Sequence, residues 1–397
     1  MLDYSVSMKK SHSMSIFAKF FAMNWRLIFL LLALCSVGIL ILYSAGKAEC
    51  ADQFKCMISY GSWTPWALSQ VPKILIGFLI LFTVAVVDIK VWIKYAYWIY
   101  GVSVILLILV MFFGHVGMGA QRWLNLGIIK IQPSELVKVS VVLALAKYFA
   151  AISINEIQSN TYLIFPAFLV LFPVLLVLKQ PDLGTAISLL LIACIVFFIA
   201  GVQIRKFAIL IIAGVLAFPV IWKYGLHDYQ RQRVIIFMNP EQDIMGSGYH
   251  ITQSKISLGS GGFWGKGYLQ GTQSHLNFLP EKQTDFIFTM FAEEFGMFGC
   301  LCLFALIIAI LWQCYRSAFV CRNTFGRLLS LGLAANFFVY FFINTAMVMG
   351  LLPVVGVPSP LLSYGGTAMM TLLFAFGLIE CCFVHSDMIV SSKSDYL

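Results

Sequence analysis

A carboxylate stands at Asp285, where the polar stretch Glu281-Lys282-Gln283-Thr284 gives way to the apolar triplet Phe286-Ile287-Phe288. Partial burial at such a boundary raises a carboxyl pKa and makes a better proton acceptor, whereas nearby guanidinium or ammonium groups lower it. The plainer alternative is a helix cap. Upstream, Tyr229-Gln230-Arg231-Gln232-Arg233 places two guanidinium groups close together, and Lys255, Lys266 and Lys282 add positive charge against Asp228, Glu241, Asp243 and Glu281. The planar fork of arginine suits a phosphate or pyrophosphate and stays charged at any relevant pH. A solvated loop touching lipid headgroups is the competing reading.

A second polar group opens an apolar run. In Gln132-Pro133-Ser134-Glu135 the proline suits a first helical turn, and Glu135 and Lys138, three apart, share one helix face and can neutralise each other. Either they fix packing or they serve a polar cavity. Asp182 follows Pro181 and precedes another apolar run, as an N-cap would. Glu293 and Glu294 lie inside apolar sequence, so at least one is expected to line a polar cavity or bond to a neighbouring helix. The glycines of Gly259-Ser260-Gly261-Gly262 and Gly265-Lys266-Gly267 allow close backbone approach, but they lack the spacing of a nucleotide-binding loop. The six histidines show no metal-ligand spacing. Cys50 and Cys56 sit in one short polar loop and either pair or remain thiols, while most other cysteines lie within apolar runs.

Elements able to position these groups must live in lipid. Of 397 residues 61% are hydrophobic and 11% charged, too few polar side chains to coat a water-facing surface. Ten apolar runs, at 27–43, 71–87, 96–113, 134–151, 163–178, 183–202, 207–222, 295–312, 328–347 and 361–383, approach the roughly 20 residues that cross about 30 Å of hydrocarbon. They are continuous rather than alternating, so an all-α integral membrane protein of ten transmembrane helices is expected, not a barrel. Basic residues of the short connections concentrate on the side of the termini, which places both termini in the cytoplasm and the long connection 225–284, between helices 7 and 8, outside. The chain reads as a single polytopic domain, 1–397. Residues 1–23 are polar and basic, and no cleavable signal peptide is expected. The net charge of +9 is dispersed among the apolar runs, which argues for membrane topology and against nucleic acid.

Near the C-terminus, Gly350-Leu351-Leu352-Pro353-Val354-Val355-Gly356-Val357-Pro358 and Leu361-Leu362-Ser363-Tyr364-Gly365-Gly366-Thr367-Ala368 resemble the signature of the SEDS family (shape, elongation, division and sporulation). The loop segments His227-Asp228-Tyr229-Gln230-Arg231, Gly248-Tyr249-His250, Gly271-Thr272-Gln273-Ser274 and Thr284-Asp285-Phe286 are closer to its RodA-like branch than to the FtsW-like one. That resemblance implies a peptidoglycan glycosyltransferase of the bacterial cytoplasmic (inner) membrane, acting in cell-wall elongation and rod shape. It would polymerise lipid II onto a growing glycan-diphosphate-undecaprenol on the extracytoplasmic face. It also implies that Asp285 is the essential aspartate and that Glu135 and Lys138 are a functional pair. Arg231, Arg233, Lys255 and Lys266 fall where the family engages lipid-linked diphosphate, and Asp182, Pro358, Ser363, Gly365 and Gly366 belong to the signature framework. A divalent cation (Mg or Mn) could share the charge, although no ligand cluster compels it, and the implied partner is a class B penicillin-binding protein that crosslinks the product. Two other readings remain open on the residues alone: a lipid II flippase or transporter, and a non-catalytic scaffold of the elongation complex.

Overall fold

The computed structural model describes residues 14–46, 62–63, 65–117, 120–125, 130–225, 228–239, 243, 246–272 and 281–388. The Cys50/Cys56 question, Glu241 and the Gln273-Ser274 segment lie outside them.

Helices account for each apolar run of the sequence. In chain order they are α1 (Ile16–Phe21), α2 (Trp25–Ala45), α3 (Trp66–Val86), α4 (Ile89–Phe113), α5 (Pro133–Ala151), α6 (Ile154–Gln158), α7 (Asn160–Lys179), α8 (Leu183–Ile199), α9 (Ile204–Val220), α10 (Asp228–Met238), α11 (Ser247–Ser260), α12 (Ile287–Val320), α13 (Thr324–Val348) and α14 (Thr367–Val384). Among the described residues seven are long and apolar enough to cross a membrane, namely α2, α3, α4, α7, α12, α13 and α14, and α8 is a shorter apolar helix. Side chains that face outward along these helices include Phe29, Leu75, Trp98, Phe112 and Ile164, each more than half exposed, a surface suited to hydrocarbon and not to water.

Capping starts several helices where the sequence changes from polar to apolar. Asn24 accepts from the Leu27 amide at 3.4 Å, Asp88 from Lys90 at 2.9 Å and Asp182 from Thr185 at 3.2 Å, each satisfying an otherwise orphan N–H. Central α13 packs against α5, α8, α12 and α14, and α14 lies along α3. At the other extreme α9 contributes no buried side chain.

Two boundaries differ from the sequence expectation. The last apolar run begins at residue 361, yet α14 begins at Thr367, because Leu361 takes a left-handed φ of +60° and residues 361–366 form turns. Hydropathy cannot register such a break. The run beginning at 295 likewise belongs to α12, which starts at Ile287 and is interrupted at Gly296 (φ +65°, ψ −164°). Between α4 and α5 the chain also forms a three-stranded antiparallel ribbon to which hydropathy is blind: β1 (His115–Gly117), β2 (Ala120–Asn125) and β3 (Lys130–Ile131), with β2 in the middle.

The break at Gly296 explains the glycine-rich turn. Backbone groups freed by the interruption pair with residues 262–267: Lys266 and Gly267 amides donate to the Glu293 and Glu294 carbonyls at 3.0 Å, and Met297 and Phe298 amides donate to the Gly262 and Phe263 carbonyls at 2.9 and 3.0 Å. Gly265 (φ +81°) lies so close that a Cβ would run into the Glu294 carbonyl. These glycines therefore dock the loop on α12, the Gly267 amide and the Gly262 carbonyl bonding it directly. Gly265→Val should cost about 1–3 kcal/mol from forced φ and overlap. The expected readouts are a lower unfolding midpoint in detergent and faster proteolysis within 247–272; an unchanged protection pattern would count against the docking account.

Candidate active site

Asp285 sits in a run of turns, 281–286, immediately before α12. Its backbone is clasped by the loop between α13 and α14. Ser363 Oγ donates to the Thr284 carbonyl at 2.6 Å, the Tyr364 amide to the Gln283 carbonyl at 2.8 Å, and Asn344 Nδ2 to both the Asp285 and Val357 carbonyls at 2.9 and 2.7 Å. The clasp is itself braced. Ser359 N–H donates to Ser363 Oγ at 2.8 Å, and Gln70 Nε2 from α3 donates to the Ser363 and Gly365 carbonyls, both at 3.3 Å. Lys73, a turn further along α3, holds its ammonium 3.7 Å from the Tyr364 ring centroid and runs beside Gly366. Glu281 and Leu361, non-glycine residues at φ +52° and +60°, border the two halves of the clasp. Strain of this kind persists only where surrounding contacts over-determine it.

The carboxyl of Asp285 is partly buried beside Gly356, where a Cβ would stand 3.5 Å from Oδ2. Loss of solvent, helped by the nearby Glu281 carboxylate, pushes its pKa up from 3.8 to about 6, while Arg233 and Arg122 pull it back down. The sequence left this balance open; burial wins. A carboxylate with that pKa is mostly ionised at neutral pH and still basic enough to accept a proton.

Of the four loop cations singled out in the sequence, Arg233 is the one that acts on Asp285. From α10 its guanidinium donates to the Val354 carbonyl at 3.0 Å. Arg231 turns back to bond the Trp222 and Lys223 carbonyls at 2.9 and 2.7 Å, which ties α10 to the preceding turn. Lys266 is 2.7 Å from the buried Glu293, whose carboxylate also accepts from the Thr272 amide at 2.7 Å and from Ser257 Oγ on α11 at 3.1 Å. Lys255 is exposed and lies along Gly350. The neighbouring Glu294 accepts from Ser44 on α2, so both glutamates anchor elements to α12.

Sequence reasoning overlooked Arg122, carried by β2. It donates to the Pro181 carbonyl at 2.6 Å and stands 3.6 Å from the Asp182 carboxylate, which also accepts from Thr185 Oγ1 at 2.8 Å. Asp182 thus caps α8 and also steadies the Arg122 guanidinium, whose charge lowers the Asp285 pKa. One charge flanked by aromatic sequence in a short connection gave no sign of this; only the ribbon brings it there.

Deeper in the bundle, Glu135 and Lys138 pair at 2.8 Å with side chains 6% and 2% exposed. Tyr340 of α13 completes the cluster, its hydroxyl bonded to both and its ring 3.9 Å beneath the ammonium. Tyr340 also lines a narrow crevice together with Pro358, Ser363 and Gly365, so the buried cluster abuts the clasp that holds Asp285. Among the described residues no group of three or more His, Cys, Asp or Glu side chains could hold a metal ion. A larger groove of about 1510 Å³ runs between α7 and α8. Its walls are apolar, from Phe172, Leu176, Leu183 and Leu190, and its rim carries Lys179 and Gln230.

The fold is that of a multi-helix membrane protein that carries, at one end, a part-buried carboxylate within the field of two guanidinium groups. Residues 25–387 match the FtsW/RodA/SpoVE family, described as cell cycle proteins, and the chain belongs to that family. It is 43% identical over 323 residues to the peptidoglycan glycosyltransferase MrdB of Escherichia coli K12, covering 81% of this chain and 87% of that protein. Identity to MrdB of Helicobacter pylori 26695 is 38% over 312 residues, 77% of this chain and 80% of the relative. Among solved structures, a chain from a study of coordinated polymerisation and crosslinking by a peptidoglycan synthase complex superposes with a TM-score of 0.76 at 29% identity, over 93% of this chain and 99% of that one. An aspartate-to-alanine mutant of the Thermus thermophilus rod shape determining protein RodA gives 0.65 at 26% identity, over 92% and 98%.

Proposed function

We propose that this chain polymerises lipid II at the extracytoplasmic face of the bacterial cytoplasmic membrane, with Asp285 as general base. Family membership and the level of identity to the curated relatives make it a peptidoglycan glycosyltransferase. The observation that carries the finer reading is a part-buried Asp285 at one end of the bundle, its pKa raised by burial and drawn back down by the charges of Arg233 and Arg122. In the reaction Asp285 takes the proton of the acceptor sugar's 4-hydroxyl as its oxygen attacks the anomeric carbon of the growing chain. The bond from that carbon to diphosphate breaks, configuration inverts, and undecaprenyl diphosphate departs carrying the electron pair. Arg233 and Arg122 stabilise the charge that accumulates on the leaving group more than they stabilise the ground state. Arg231 and Lys266, already committed to carbonyls and to Glu293, hold the loop in place, and Lys255 remains an outer contact for diphosphate. No step is assigned to Mg or Mn, since the described carboxylates offer no cluster to hold one.

The same reading carries the ten-span topology, with α5, α8 and α9 completing the seven long apolar helices, both termini cytoplasmic, and the connection 225–284 on the outer side. The groove between α7 and α8 suits a polyprenyl tail entering sideways from lipid, with its diphosphate at the Lys179 and Gln230 rim. A class B penicillin-binding protein is the proposed partner, in keeping with the crosslinking named for the superposed synthase complex.

Purified protein should convert lipid II into glycan strands, and addition of the partner or of a chelator reports their separate contributions. Absence of any polymer with partner and divalent cation both supplied would reject the enzyme reading. Arg233→Gln removes a cation that lowers the Asp285 pKa, so the alkaline rise of the rate should move to higher pH as the rate falls. Arg231→Gln should instead loosen α10 and leave the position of that rise alone. Equal pH profiles for both variants would remove Arg233 from the site.

A further inference from the structure

At the opposite end of the bundle from Asp285, where α2 begins and α12 and α14 finish, a cleft of about 690 Å³ opens outward. Its polar lining is Asn24, Arg26, Gln313 and Arg316, with Trp25 and Val320 as apolar wall. Arg26 and Arg316 are exposed, and among the described residues neither has a hydrogen-bonding or acidic partner. None of the lining residues is acidic. Beneath them the side chain of Asn24 is already ordered, donating to Gln313 at 3.3 Å, and the Asn24 backbone N–H donates to the buried Glu380 at 2.8 Å. Arg316 and Val320 also border a second hollow formed with Trp312, Tyr315 and Phe319. These three rings stack in sequence along α12, 5.6 and 6.1 Å apart, and are 59%, 47% and 77% exposed.

We infer that this cleft is a binding site for an anionic phospholipid, whose phosphodiester sits between Arg26 and Arg316 and whose acyl chains lie along Trp312, Tyr315 and Phe319. Two unneutralised guanidinium groups at a helix-bundle end call for an anion, and their planar forks match phosphate oxygens. Continuity with an aromatic face on a membrane-crossing helix demands that the anion carry hydrocarbon, which a nucleotide or free phosphate lacks. The site uses no residue of the glycan-forming machinery and stands apart from the function proposed above.

The test is native mass spectrometry of the full chain released from detergent containing equal phosphatidylglycerol and phosphatidylcholine. Two basic contacts should give the wild-type protein roughly a tenfold preference for phosphatidylglycerol adducts. Arg26→Gln with Arg316→Gln should bring adducts near parity without moving the unfolding midpoint in neutral detergent, and Arg26→Lys with Arg316→Lys should keep most of the preference. Trp312→Ala with Phe319→Ala should weaken adducts of both lipids while the preference stays. A wild-type protein with no preference overturns the site whatever the variants do, as does a full preference retained by the double glutamine variant. Displacement of the lipid by roughly 10-fold excess inorganic phosphate would assign the site to a free anion and overturn the lipid.

Discussion

Asp285→Asn is expected to lower the rate of lipid II polymerisation by about 10²- to 10⁴-fold, the range for loss of a positioned general base. Folding should not suffer. The aspartate's backbone is held by Asn344, and neighbouring carbonyls by Ser363 and Tyr364, none of which contacts the carboxyl through these bonds. The stability consequence has a definite sign. The folded pKa, about 6, lies above the ordinary 3.8, so the folded protein binds the proton more tightly than the unfolded chain. That contribution is complete below about pH 4 and is lost as pH rises toward and through 6. Above that, an ionised Asp285 costs stability, and the neutral amide of the asparagine variant would remove the cost. The variant should therefore melt at the same temperature as wild type or higher at about pH 8, with the advantage gone near pH 4. In the wild type, polymerisation at saturating substrate should rise with pH through about 6. Retained polymerisation, or a variant that melts many degrees lower under the alkaline condition, would mean that the side chain caps or packs and does not take a proton.

The second large effect concerns Glu135, Lys138 and Tyr340. Lys138→Met leaves a buried carboxylate without its cation and should cost about 3–5 kcal/mol. Pairing it with Glu135→Gln removes both charges and should return most of that loss, whereas Tyr340→Phe, which deletes one buried hydroxyl bonded to both, should cost about 1–3 kcal/mol. Denaturation in detergent gives the coupling directly from the double-mutant cycle. Additive losses would show that the 2.8 Å pair is not energetically a pair. Polymerisation by the double variant separates the two meanings left open by sequence. A stable but inactive protein assigns the cluster to the reaction through the crevice it shares with Pro358 and Ser363, and a stable, active one assigns it to packing.

Much of the architecture could be read along the chain because lipid imposes a one-dimensional rule. Continuous apolar runs must be helical, so each run carries a helix, and the 3.6-residue repeat alone places Glu135 beside Lys138. Asp182 and Asn24 start helices for the equally local reason that a short polar side chain reaches its own third amide. The Thr367–Ala368 end of the signature and the left-handed Leu361 escaped that logic, since a turn built from apolar residues is invisible to hydropathy.

Composition and local spacing determined that this protein is built of apolar helices suited to a membrane, and which buried charges can meet within one helix. Tertiary structure alone decided which positive charges bear on the Asp285 carboxyl. It turned Arg231 and Lys266 away to carbonyls and to Glu293, kept Arg233, and brought Arg122 from a β-ribbon far earlier in the chain by way of Asp182. Tyr340 entered the Glu135–Lys138 cluster from another helix in the same manner. The reason is physical: helix formation is written in neighbouring residues, whereas the desolvation and field that set a carboxyl's basicity come from whichever distant groups the packing delivers.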